Sequence, residues 1–120
     1  LIVVAPCCHK QVRRELERVK AKNELSFMTR HGIFMERHAE MLTDSIRALL
    51  MEYHGYQTKV VELISDAHTP KNVLIVGLRK KINPARQQEI QAKLKELKTF
   101  FGLESHYLEH LLKAANLLAD

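Results

Sequence analysis

The chain has 120 residues, 46% apolar and 28% charged, with 19 lysines and arginines against 14 acidic residues and a net charge of +5. That length allows one small domain with a modest core, the composition excludes a disordered chain, and no apolar run approaches the ~20 residues of a membrane span. Cys7 and Cys8 are the two cysteines and are adjacent, a spacing that strains a shared disulfide, so a disulfide scaffold is excluded and a reducing, cytoplasmic compartment is expected. The mild positive charge suits an anionic partner such as RNA without requiring one.

Residues 1–5 (Leu-Ile-Val-Val-Ala) are continuously apolar and β-branched, the pattern of a strand buried on both faces, as in a parallel sheet. The chain opens inside this run without Met, so it is expected to be a piece of something longer. Pro6 ends the strand. Residues 11–23 are highly charged and predict an exposed helix with Val12, Leu16 and Val19 on one face. Residues 31–54 give the clearest element: Met35, Ala39, Leu42, Ile46, Leu49 and Tyr53 recur at helical spacing. Gly55 fits the left-handed cap that ends such a helix.

Residues 58–65 and 73–78 predict two strands, with turn chemistry between them around Pro70. The short connection predicts a hairpin. After Arg79, Lys80 and Lys81, a basic strand end that could touch a phosphate backbone, Asn83 is placed to cap a helix with Pro84 at its first position. Ile90, Leu94, Leu97 and Phe101 form that helix's stripe, and Gly102 ends it. A last helix starts near Ser105, with Leu108, Leu111, Leu112, Ala115 and Leu118 on its apolar side. A strand leading through a long helix to another strand is a crossover unit of an α/β sheet. The expected sheet has residues 1–5 parallel to 58–65, with 73–78 antiparallel between them.

Three strings sharpen this order. Residues 4–11 (Val-Ala-Pro-Cys-Cys-His-Lys-Gln), 31–44 (His-Gly-Ile-Phe-Met-Glu-Arg-His-Ala-Glu-Met-Leu-Thr-Asp) and 68–72 (His-Thr-Pro-Lys-Asn) resemble a family of class I S-adenosylmethionine-dependent methyltransferase domains. That family carries a Cys-Cys-His or Cys-Cys-Tyr element after its fifth strand, and its seventh strand runs antiparallel between the fifth and sixth. The resemblance implies the C-terminal part of a Rossmann-like α/β sheet: one parallel strand, a long helix and an antiparallel hairpin, followed by two helices. It covers residues 1–81; residues 82–120 read as a helical C-terminal extension. The family holds S-adenosylmethionine on its first four strands. Here the glycines stand far apart, at 32, 55, 77 and 102, so this chain alone is expected neither to bind the cofactor nor to be active. A sheet cut this way would need the missing N-terminal half of its domain, or a second copy, as partner.

Ligands of open α/β sheets sit outside the carboxyl ends of the strands. The segment after residue 5, the start of the long helix and the hairpin loop are therefore expected to converge on one substrate rim. The candidate residues are Pro6, Cys7, Cys8, His9, Lys10, His31, Glu36, Arg37, His68, Thr69, Lys71 and Asn72. Cys7 or Cys8 reads as a buried small hydrophobe, as part of a zinc site with His9, or as a nucleophile, since Ala5-Pro6-Cys7 is similar to the Pro-Cys element of cytosine-C5 methyltransferases. Only a helix and the hairpin follow, which favours the fifth strand over that element's fourth. The histidines could bind substrate or move protons, or simply be solvated. Glu36 also suits the amino end of a helix. The competing class is a non-enzymatic module in which the two C-terminal helices dock a partner or dimerise.

Overall fold

The computed structural model describes residues 1–6, 8–19, 25–62 and 73–118. The elements run β1 (Ile2–Val4), α1 (Lys10–Val19), α2 (Leu25–Thr29), α3 (Gly32–Tyr53), β2 (Tyr56–Glu62), β3 (Val73–Arg79), α4 (Pro84–Phe101) and α5 (Tyr107–Ala114).

Local chemistry explains most of the boundaries. The Asn83 side chain accepts from the backbone N–H of Ala85 at 3.0 Å and of Arg86 at 3.4 Å, and Pro84 gives up no hydrogen bond at the first position of α4. Gly102 closes α4 at φ 73°, and the Leu103 N–H returns to the Lys98 carbonyl at 2.8 Å, a Schellman ending. Gly55 follows α3 at φ +87°, where a side chain is strained. A Cβ there would also stand 2.8 Å from Ile82 Cγ1 and 3.1 Å from the Lys80 carbonyl oxygen. Lys80 N–H donates to the Gly55 carbonyl at 2.6 Å, so the turn into β2 is tied to the exit from β3.

The sheet order is β1-β3-β2, with Ile2 opposite Gly77 and Val4 opposite Ile75 on one side, and Tyr56 opposite Arg79 through Glu62 opposite Val73 on the other. β3 is antiparallel to both neighbours, so β1 and β2 point the same way, as the sequence order suggests. They are never paired. The described strands thus take the expected order, residues 1–5 parallel in direction to the second strand with the third antiparallel between them, and every pairing among them is antiparallel.

α3 covers one face of the sheet. Gly77 lets it approach, since a Cβ there would lie 2.5 Å from Met51 Cε. The expectation that residues 1–5 are buried on both faces is overturned: Leu1 is 77% exposed and Val3 54%. Period-two alternation sends Val3 and Leu78 to the face away from α3, where both remain exposed among the described residues.

The main core lies between helices. Val12 and Leu16 of α1, Ile90 and Leu94 of α4, Leu103 and Leu118 close on Met35, Ala39, Leu42, Ile46 and Leu50 of α3. The α3 stripe sits slightly rotated from the sequence expectation. Thr43 and Leu50 are fully buried, while Leu49 and Tyr53 are only partly so. Thr43 is tolerated there because its hydroxyl donates to the Ala39 carbonyl at 2.6 Å. The helix expected over 11–23 is observed as α1 to Val19, and the short α2 has no counterpart in the sequence reading.

Candidate functional site

Three elements meet beside β1. The chain leaves the strand through Pro6, Cys8 and His9 and enters α1. α3 presents Thr43, Arg47 and Met51, and the amino end of α5 closes the third side with His106, Tyr107, Leu108 and Leu111. Between them is a cleft of about 720 Å³, a size that suits a small ligand.

The segment after β1 is pinned from both sides. His9 is buried, and its Nε2 meets Glu36 Oε1; the other oxygen of Glu36 pairs with Arg13 of α1. Arg47 donates to the Cys8 carbonyl at 2.8 Å through one amino group and to Asp44 at 2.8 Å through the other. The guanidinium thus ties the strand exit to α3, with its charge balanced on the same helix.

α5 is held by α1. The Gln11 side chain accepts from Tyr107 N–H at 2.9 Å and donates to the Ser105 carbonyl at 3.0 Å. His106 caps α5: its Nδ1 accepts from Leu108 N–H at 3.0 Å, while Glu109 accepts from the His106 backbone N–H at 3.0 Å. Glu109 is buried and answered by Lys98 of α4 at 2.9 Å. Burial, with the positive charge of Arg47 behind it, pushes His106 down from 6.5 to about 4, against a smaller upward pull from Glu109. The imidazole is therefore neutral at physiological pH. With Nδ1 accepting, Nε2 carries the proton, and this buried Nε2 has no hydrogen-bond partner.

Among the residues the sequence singled out, Pro6, Cys8 and His9 line the cleft, and Glu36 reaches it through His9. Cys8 is a free, exposed thiol. Lys10 begins α1 and Arg37 lies in the second turn of α3, both exposed. His31 precedes α3, accepts from Arg30 Nε at 3.4 Å and sits edge-on to Phe34 at 5.7 Å, without joining the cleft. His31 and Arg37 thus stand outside this cleft. Cys7, His68, Thr69, Lys71 and Asn72 lie outside the described residues, so the loop side of the rim does too. Among the described residues no three histidine, cysteine or acidic side chains are grouped to hold a metal, and no helix is long and apolar enough to cross a membrane.

Arg47, His106 and Gln11 were missed. The His106-x-x-Glu109 spacing resembles a capping box and could have been read. Arg47 and Gln11 have local helical partners in Asp44 and Glu15, but the contacts that place them at the cleft reach 39 and 94 to 96 residues away and leave no local signal. The basic strand end, Arg79 to Lys81, is exposed and lies at the opposite end of the sheet from the β1 exit. Comparison with family models, curated proteins and solved structures finds no match.

Proposed function

We propose that this chain is the C-terminal part of a class I S-adenosylmethionine-dependent methyltransferase, and that it supplies part of the substrate-side rim, with RNA as the candidate acceptor. The strand order carries the reading. A strand, a long crossover helix and a second strand of like direction are followed by a third that inserts antiparallel between them, the ending the three sequence strings lead one to expect. The junction of His9 with Glu36 adds support, because it joins two of those strings across 27 residues.

S-adenosylmethionine would supply the methyl group to a nucleophilic acceptor. The described glycines do not suit its binding: Gly32 opens α3 after another helix, Gly55 precedes a strand, Gly77 lies within one and Gly102 ends α4, so none forms a turn after a strand's carboxyl end. No step on the cofactor is therefore assigned to this chain. Its own contribution is to hold Cys8 and His9 beyond the carboxyl end of β1, through the Arg47 and Glu36 contacts. The alternative, an interaction module built on the C-terminal helices, is less well supported, since Ile90, Leu94 and Leu103 are spent in the core.

The test is transfer of labelled methyl from S-adenosylmethionine to total RNA by the full-length protein that contains this chain. Glu36→Gln is expected to lower labelling about tenfold or more, by loosening a positioned segment. Unchanged labelling in the variant, or no methyl transfer to any macromolecule by the parent, would sink the reading. Calorimetry of the 120-residue chain should give no heat of cofactor binding, and micromolar affinity would overturn the placement of the cofactor site on other strands.

A further inference from the structure

The cleft beside β1 has a wall chemistry that the methyl-transfer reading does not use. Its sides are mainly apolar, formed by Ile2, Val4 and Pro6 at the strand, Met51 on α3, and Leu108 and Leu111 on α5. The buried polar side chains on the wall are His9, Thr43 and His106. His9 is engaged by Glu36, and the Thr43 hydroxyl donates to Ala39. His106 differs: it is 3% exposed, its Nδ1 is taken by the α5 backbone, and its Nε2 is unpartnered. A buried donor without an acceptor is costly, and a ligand that supplies the acceptor recovers that cost on binding.

The charge on the wall narrows the ligand further. Arg47 is the cationic group there, and Asp44 pairs with it at 2.8 Å while the Cys8 carbonyl takes its other arm. With the guanidinium balanced and both arms engaged, neither an anion nor a cation gains a free counter-charge. We propose that the cleft between β1, α3 and α5 binds a small uncharged ligand with an apolar body and one hydrogen-bond acceptor, such as an amide or ketone oxygen, which accepts a hydrogen bond from His106 Nε2–H. Nε2 is closed over by its neighbours, so the bond forms only when the wall parts slightly. This inference does not depend on methyl transfer.

The test uses the 120-residue chain and three probes: octanamide (apolar body and carbonyl), octanoate (the same body, charged) and butylbenzene (apolar, no acceptor). Methyl and amide NMR signals are followed during titration. Octanamide is expected to shift the Met51 and Leu111 methyl signals saturably and to move the His106 Nε2–H resonance. His106→Asn keeps a capping side chain and removes Nε2, so it should weaken octanamide by about three- to tenfold, the range of one neutral hydrogen bond. Leu111→Trp, at a position already 46% exposed, should fill the cleft and abolish the shifts while leaving the fold intact. The proposal is overturned if octanamide gives no saturable shift at these residues, if octanoate binds more tightly, or if butylbenzene binds as well. It is also overturned if the cleft signals move with protein concentration alone, since a second copy would then be the occupant.

Discussion

Acidification from pH 7 to 4.5 should destabilise this fold through His106. In the unfolded chain its imidazole takes a proton near its ordinary value of 6.5, whereas in the folded chain burial and Arg47 hold it down to about 4. Between those two values the unfolded state binds the extra proton, so stability rises with pH across this window. The contribution is fully present above 6.5 and is lost as pH falls toward 4. A tenfold difference in proton affinity between the two states is worth ~1.4 kcal/mol, so the loss from this one residue by pH 4.5 is about 2–3 kcal/mol. That is a large share of the few kcal/mol expected for a domain this small. Burial also lowers His38, whose ring lies tilted against Phe101 with centroids 4.7 Å apart, and His54. They act in the same direction, so the wild-type curve alone cannot isolate His106. Urea unfolding at pH 7.0 and 4.5 should therefore be run on wild type and His106→Asn. Asn retains an N-cap acceptor and cannot be protonated, so the variant should lose about 2–3 kcal/mol less than wild type over the interval. Equal losses in the two proteins would refute the account of His106 as a buried neutral group.

Ile46→Ala should cost about 3–4 kcal/mol by denaturant unfolding, because Ile46 is fully buried where the helices meet. Met41→Ala on the exposed side of the same helix should stay within about 0.5 kcal/mol, and equal costs would show that the burial pattern of α3 is wrong. Gly55→Ala should destabilise by about 1–2 kcal/mol, from its positive φ and the contact with Ile82 and Lys80; a neutral result in thermal unfolding would contradict the tie between this turn and the end of β3. The face of the sheet away from α3 exposes Val3 and Leu78, and such apolar faces seek partners. Sedimentation should show concentration-dependent association that Val3→Lys with Leu78→Lys suppresses, and a wild-type monomer at all concentrations would show that the face is tolerated bare.

The legible parts of this chain are those whose cause is local. Asn83 and Pro84 start α4, and Gly102 stops it, through hydrogen bonds spanning only a few residues. Gly55 stops α3 by adopting a backbone angle that other residues avoid. The apolar period of α3 identified Ile46 and Leu42 as core positions because periodicity reports a face before the neighbour on that face is known. The strand order was legible as well, since the short 63–72 connection makes β2 and β3 antiparallel neighbours and leaves β1 the far side of β3.

Burial of β1 was not legible. Leu1 and Val3 have the composition of an interior strand, but whether such a strand is covered depends on what packs over it, and α3 reaches only one side. The site was legible at the exit from β1, in Pro6, Cys8 and His9 with Glu36 behind them, and not on the α3 and α5 walls. His9 and Glu36 could be nominated by type, yet their pairing across 27 residues exists only because α1 and α3 pack together. His106 shows the division most sharply. Its neighbours in sequence account for the cap on Nδ1. Its neutral state comes first from a burial that no stretch of sequence around residue 106 encodes and then from the charge of Arg47, 59 positions earlier, and the same burial leaves Nε2 without a partner. Backbone conformation is decided over a few residues, whereas burial and electrostatic environment are sums over everything that folding brings near.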